Sequence, residues 1–496
     1  MAPALVAAVV AVLPVWYLVV RAESVATVAD TLLTPATLRL TLRSLGLTAL
    51  VSAAATVIGV TASWLVARTD LRWRRGWQVA MVLPLAVPSY VGAFVWVEAF
   101  PALAGLPGAV LVLTLTTFPY VFLPALSALR RVDPAVEEVG ASLGRGRAAV
   151  ALLTIRQIRP SIAAGALLVA LYTLSDFGAV ALMRYEVFTW VIYGAYRSGF
   201  DPTRAATLSL LLVALAMILV VLEARARGRT SARSGPGVAR RGRTIQLGAW
   251  QIGAVGGLVA VVVAALLVPA VSLLRWTAEG TAQSLDAESL LAAVRATLWF
   301  SALAAAACIA LAVPVGILAA RSPGAVSRVL ERATFTGHAL PGIVVAIAMV
   351  YVGVTLLRPI YQQTPLLVLA YVVMFLPLAV VSVRASVEAS PVRAEEIARS
   401  LGLTRGAVLR QVTLPLAAPG LAAGAFMVLL TTMKELPVTL LLHPTGTETL
   451  ATMLWRFMLI SDRASAAPYA ALIVLGAALP AVILGRAEPF RRNRDR

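Results

Sequence analysis

The sequence predicts an all-α integral membrane protein of about 12 transmembrane helices, built as two homologous six-helix halves. Three observations carry that expectation. Of 496 residues, 60% are hydrophobic and only 13% charged, the mean hydropathy is +0.89, and apolar runs of about 20 residues, enough to cross ~30 Å of hydrocarbon, recur along the whole chain. Basic residues gather on alternate connections between those runs. Motifs of the first half return in the second at a near-constant distance, far longer than a solenoid period. Soluble globular, disordered, fibrous and disulfide-rich classes are thereby excluded. Cys308 is the one cysteine, and His338 and His443 lie far apart in sequence, which speaks against a built-in zinc or haem site.

Twelve spans fall at roughly 3–20, 44–67, 79–99, 107–129, 162–183, 205–222, 249–274, 296–320, 338–357, 366–386, 418–442 and 467–485. The first has no basic residue before its apolar core and Arg21 after it, the pattern of a retained helix and not of a cleaved signal peptide. The side holding loops 68–78, 130–161, 223–248, 321–337 and 387–417 with the C-terminal tail, and Arg384 at a helix end facing it, carries 30 of the 42 basic residues and 11 of the 23 acids. The opposite side has 11 bases and 10 acids. By the positive-inside rule both termini are expected in the cytoplasm.

The repeat fixes the organisation. Residues 118–180 contain FPYVFLPALSALRR, EEVGASLGRGRAAV and SDFGAV, and residues 371–439 contain YVVMFLPLAVVSVR, EEIARSLGLTRGAV and KELPVT. Glu138 pairs with Glu396 and Gly144 with Gly402 at a shift of 258, while Pro160 pairs with Pro419 and Asp176 with Glu435 at 259. The expected division is a first half over 1–224 with loop 130–161, a basic linker over 225–248, and a second half over 249–496 with loop 387–417. An even number of spans per half gives both halves the same orientation, related by an axis along the membrane normal with a pathway between them. The linker stretch RARGRTSARSGPGVARRGR lacks aromatic residues for base stacking, so its charge is read as holding helix ends inside rather than as binding nucleic acid.

Each long loop carries the local chemistry of a helix–turn–helix. Asp133 with Pro134, and Ser390 with Pro391, are expected to open a helix. Glu137, Glu138, Glu395 and Glu396 then fall in its early part, where carboxylates suit the positive end of the dipole. Gly144 and Gly402 follow about two turns later as residues able to take the left-handed conformation that ends a helix. A second short helix is expected next, closed by Pro415 in the second copy. A shaped, partner-facing surface is the reading, in preference to a merely solvated loop.

At these residues the sequence resembles the permeases of ATP-binding-cassette (ABC) importers, whose EAA motif runs E-A-A, three residues, G, and on to an I-x-L-P ending. The second copy matches nearly throughout, with Glu396, Ile397, Ala398, Gly402, Val412, Leu414 and Pro415; the first has Glu138, Val139, Gly140 and Gly144 but lacks the Leu-Pro ending. The fused two-half form, with SDFGAV and MKELPVTLLL and the stretches Leu182–Phe200 and Thr449–Trp455, is similar to the ferric-iron permeases. Thiamine and aminoethylphosphonate permeases share the architecture. The resemblance implies a type I importer permease in the bacterial cytoplasmic membrane, with two ABC ATPase subunits on the cytoplasmic side and an extracytoplasmic substrate-binding protein.

The chain itself shows no nucleotide chemistry. A P-loop needs Gly-Lys-Ser/Thr, and the single lysine, Lys434, follows Met433. No cofactor is therefore expected on this chain, ATP being used by a partner subunit, and neither HExxH nor GxSxG suggests an enzyme. A twelve-helix secondary transporter is the rival reading; the paired structured loops and the lack of a midchain array of buried acids argue against it. Asp176, Lys434 and Glu435 fall inside expected spans, where charge is costly. They form either a structural ion pair through Lys434 or a pathway whose carboxylates offer hard oxygen ligands to a passing cation, without a tight metal site. Tyr172, Tyr351 and Tyr371 are candidate additional oxygens.

Overall fold

The computed structural model describes residues 2–21, 34–132, 142–144, 146–198, 201–231, 244–281, 286–322, 324–335, 337 and 340–486. Among them all regular structure is helical, apart from one parallel bridge between Thr69 and Ile245. The first half runs α1 (Ala2–Arg21), α2 (Pro35–Arg68), α3 (Arg74–Val82), α4 (Ser89–Ala99), α5 (Leu106–Thr117) and α6 (Pro119–Arg131). It continues with α7 (Arg147–Ser175), α8 (Gly178–Leu182), α9 (Phe188–Arg197) and α10 (Pro202–Ser231). The second half begins with α11 (Trp250–Val262), one π-turn, α12 (Val268–Thr281), α13 (Ala287–Arg321), α14 (Ala325–Thr334) and α15 (Gly342–Thr355). It ends with α16 (Thr364–Ala389), α17 (Val392–Ser400), α18 (Arg405–Val408), α19 (Leu414–Met433), α20 (Pro437–Leu442), α21 (Leu450–Leu459) and α22 (Arg463–Arg486).

Among the described residues ten helices are long and apolar enough to cross a membrane, and one bent pair, Arg74–Ala86 with Ser89–Ala99, turns by 89°. That bend corrects the expected straight span at 79–99. Pro84 and Pro88 sit in the break, where neither supplies an N–H to continue the ladder. The expected span 338–357 is also corrected: α15 has 14 residues, about 21 Å of helix and too short for the hydrocarbon by itself. The expected spans 162–183 and 418–442 each stop early, at Ser175 and Met433, and resume as the short helices α8 and α20.

Two compact units are present, one of residues 1–34, 191–213 and 283–469, the other of 35–190, 214–282 and 470–496. Within the second, α2, α6 and α7 pack on one another, and α11 and α12 pack against α3 and α4. Within the first, α13, α16 and α19 form the matching trio, and α1 packs along α13, α14, α15 and α16. The opening span of each half thus belongs to the compact unit that holds the other half's core. At the start of α13, Asp286 accepts from the Ser289 hydroxyl and, at 3.1 Å, from its N–H, which holds this carboxyl below the usual Asp range.

Small residues set the closest helix crossings. A Cβ on Gly165 of α7 would stand 2.7 Å from the Tyr120 carbonyl oxygen and 2.8 Å from Val121 Cα, and one on Gly424 of α19 would stand 2.8 Å from Ser382 Cβ. These are matched positions of the repeat, at the α6/α7 and α16/α19 crossings. Helices in lipid gain little from apolar burial alone, so such close backbone approach is a main source of their attraction. We expect Gly165→Ala to destabilise the purified protein by about 1–3 kcal/mol and Gly424→Ala by less, because the first meets backbone and the second a serine side chain. Apparent Tm values in detergent check this; equal or reversed losses would refute it.

Candidate functional site

Each half breaks a long helix at an acidic residue and restarts it at once. Asp176 follows the end of α7, and its Oδ1 accepts the Ala179 N–H at 2.9 Å, near the start of α8. Glu435 follows Lys434, the closing residue of α19, and accepts the Val438 N–H at 3.1 Å and the Thr439 N–H at 3.0 Å at the start of α20. Both carboxylates are buried. The first turn of a helix leaves N–H groups without partners, and in a buried setting these must be met by side chains. Amides and hydroxyls are thus among the direct partners of both carboxylates.

A serine and a glycine complete the two caps. Ser89 opens α4 after Pro88, and its hydroxyl donates to Asp176 Oδ2. Gly342 opens α15 after Pro341 at the matched position, 253 residues on. A Cβ there would lie 3.2 Å from Glu435 Oε1. The longer carboxylate occupies space that the serine side chain takes in the other half. Asp with Ser and Glu with Gly are two solutions of one volume problem.

Further hydroxyls gather around Glu435. The Thr439 hydroxyl donates to Glu435 Oε2 at 3.0 Å and pairs with Tyr371 Oη at 2.7 Å. Thr297, Ser301, Thr432 and Thr449 join them in lining a small cavity of about 10 Å³, roughly room for one water-sized occupant. Thr297 Oγ1 accepts the N–H of Leu450, the first residue of α21, at 2.9 Å, just as Ser44 Oγ accepts that of Phe188, the first residue of α9, at 3.2 Å. Of the expected tyrosines Tyr371 reaches this cluster and Tyr172, packed on Tyr120, hydrogen-bonds Ser89 beside Asp176 in the first half, whereas Tyr351 packs on Tyr17. His443 makes loop contacts to the Pro444 and Thr447 carbonyls, and His338 lies outside the described residues.

The second long loop has a defined shape. Residue Gly402 takes φ +88°, and the Gly402 N–H reaches the Arg399 carbonyl at 3.0 Å while the Leu403 N–H reaches Ala398 at 3.1 Å. This is the paired bonding of a Schellman turn. Ala398 and Glu395 are buried, whereas Glu396, Gly402 and Pro415 are exposed and Leu414 is half-buried. Two details differ from expectation. Pro391, not Ser390, is the N-terminal cap residue of α17, and the Ser390 hydroxyl bonds back to the Ser386 carbonyl. Nor does Pro415 close a helix: α18 runs through a π-turn over Leu409–Thr413 into α19. Pro415, which cannot donate to the carbonyl four residues back, stands just after that π-turn. In the first loop Gly144 takes φ +70°; Asp133, Pro134, Glu137 and Glu138 lie outside the described residues.

A duplicated, multi-pass chain, predominantly helical among its described residues, with a capped break at the matched repeat position of each half and a shaped second loop, fits a membrane transport component. The chain belongs to the binding-protein-dependent transport system inner membrane components, a family of ABC transport permeases. Residues 312–491 match that family directly. The chain is 31% identical over 480 residues, 95% of each protein, to the Fe(3+)-transport system permease protein FbpB 2 of Haemophilus influenzae. It is also 27% identical over 199 residues to the molybdenum transport system permease protein ModB of Mycobacterium tuberculosis, covering 37% of this chain and 74% of that one. A diacetylchitobiose uptake system permease protein of Streptomyces coelicolor matches over 100 residues at 35% identity, 20% of this chain and 35% of that one.

The exchange of Ser with Asp against Gly with Glu gives a direct test. Gly342→Ser alone crowds Glu435, and Glu435→Asp alone withdraws the carboxylate from Thr439; each is expected to cost about 1–3 kcal/mol. The double variant rebuilds the first half's arrangement and is expected to recover most of the lost stability. Additive losses in apparent Tm would show that the two positions do not share this space.

Proposed function

We propose that this chain is the membrane-spanning permease of an ATP-driven importer, passing ferric iron from an extracytoplasmic binding protein to the cytoplasm by alternating access. Halves 1–224 and 249–496 meet two ATPase subunits through loops 130–161 and 387–417, and the basic linker 225–248 and both termini lie in the cytoplasm. ATP hydrolysis belongs to those subunits, and this chain binds no cofactor. The observation that carries the reading is the turn at Gly402, which presents exposed Glu396 beside a helix anchored by buried Glu395 and Ala398. Such a knob, running on through α18 into α19, suits a cleft in an ATPase subunit and leads its motion into the membrane. Glu137, Glu138 and Gly144 are its counterparts in the first loop.

Iron is supported by the near full-length likeness to a permease named for Fe(3+) transport and by the donor chemistry of the helix breaks. Carboxylate and hydroxyl oxygens are hard ligands suited to a small, highly charged cation. Asp176 and Glu435 are the pathway groups in this reading, with Lys434 beside them. Their capping duties leave them weak, transient ligands, as release requires. The test is uptake in proteoliposomes containing the permease, its ATPase and its binding protein, supplied with ferric ion, thiamine or aminoethylphosphonate. ATP-dependent accumulation of iron alone is expected; accumulation of thiamine or aminoethylphosphonate without iron would overturn the substrate.

Three substitutions separate pathway from coupling. Asp176→Asn and Glu435→Gln are expected to lower uptake on the order of tenfold, about 1.4 kcal/mol, with the ATPase subunits still bound; normal uptake in both would remove these carboxylates from the pathway. Gly402→Val has open space for its side chain but forces a β-branched residue into the left-handed region, at about 1–2 kcal/mol. We expect the membrane domain to stay folded and ATPase binding or transport per ATP to fall. Wild-type values of both would reject the coupling assignment.

A further inference from the structure

Glu395 is 4% exposed although it lies in a surface loop beside exposed Glu396. A buried carboxylate is costly unless paired and hydrogen-bonded, and its partners come from two other elements and from its own helix. Arg321, the last residue of α13, places Nη2 at 2.9 Å and Nε at 3.0 Å from Glu395 Oε1. The same guanidinium donates to the Ser390 carbonyl at 3.0 Å, where α16 ends. Thr413, at the end of the π-turn before α19, donates its hydroxyl to Oε1 at 3.1 Å. Arg399, one turn along α17, reaches Oε2 at 3.3 Å and is itself half exposed.

The far ends of the joined helices matter as much as the near ones. Helix α13 carries Thr297 and Ser301, and α19 carries Thr432 and runs on to Glu435, all lining the same small cavity. From Arg321 to Thr297 is roughly 36 Å along α13, and from Thr413 to Thr432 roughly 28 Å along α19. We propose that Arg321 is a positioning residue which, through Glu395 and Thr413, clamps the coupling helix to the two helices that shape the Glu435 cavity. Displacement of α17 then moves α13 and α19 together instead of bending the loop. This rests on the importer reading above. Arg321 matches Arg68 at the repeat shift of 253.

The test uses the whole transporter in proteoliposomes with Arg321→Gln, Glu395→Gln and the double variant. Arg321→Gln is expected to keep its ATPase subunits through purification while transport per ATP falls about tenfold. Glu395→Gln should lose transport per ATP to the same extent, and the double variant no further. A cysteine at Ser301, introduced with Cys308→Ala, should change its thiol labelling on ATP addition in the parent and not in Arg321→Gln. The clamp is overturned if the two losses add, if Glu395→Gln alone sheds the ATPase, or if labelling still responds to ATP in Arg321→Gln. Should Arg321→Gln fail to insert, Arg321→Lys carries the same comparison, because a lysine keeps the charge without the fork that bridges Glu395 and Ser390. A parent complex without ATP-driven uptake would instead refute the importer reading, which keeps the two failures distinct.

Discussion

Backbone polar groups cannot be left without partners in hydrocarbon, and this constraint governs where the chain is allowed to break. A continuous helix satisfies itself; a helix that stops and restarts exposes N–H groups that must be met inside the protein. Asp176 and Glu435 meet them at the starts of α8 and α20, and Ser44 and Thr297 meet the first N–H of α9 and α21. The acids that looked anomalous within apolar sequence are thus the condition for having breaks there. Without the breaks, the hydroxyls around Glu435 would have no reason to converge.

Capping also shapes the chemistry that remains available. Oε2 of Glu435 accepts from Val438, from the Thr439 N–H and from the Thr439 hydroxyl, whereas Oε1 accepts from Val438 alone among these groups. Oε1 is also the oxygen that faces Gly342. Any ligand of this carboxylate would compete with hydrogen bonds already made, and its binding energy would be reduced by whatever capping it displaced. The cavity beside the carboxylate has space for about one water-sized guest.

Much of the architecture was legible because it follows from composition and repetition. Most of the spans, and the left-handed glycines at 144 and 402, appear where apolar runs and repeated motifs place them. The breaks were less legible, since an apolar window averages over Pro84, Pro88 and Asp176 without registering that the helix stops. Ser44, Ser89, Thr297 and Gly342 escaped notice for a different reason. Their repeat shift is 253, not the 258 or 259 of the loops, so an insertion between the motifs hides the correspondence until the structure aligns them. Glu395 was grouped with Glu396 by charge; only the roughly 100° turn per residue of a helix, set against α13, separates the inward glutamate from the outward one.

The two halves show how a duplicated site diverges without losing its geometry. Near-identical caps open α4 and α15, with Pro88 at φ −58°, ψ 144° and Pro341 at φ −58°, ψ 141°. The next residue differs: serine beside a short carboxylate in one half, glycine beside a long one in the other. A change at either member alone would crowd the cap or leave it a donor short, so the pairs are coupled by volume and not by identity. The same principle separates the loops, where the second copy has the full Leu414-Pro415 ending while the first reaches Pro160 without it. In the second copy that ending coincides with a π-turn that delivers the Thr413 hydroxyl to Glu395. The Leu-Pro ending thus directly follows Thr413, the residue whose hydroxyl anchors the loop.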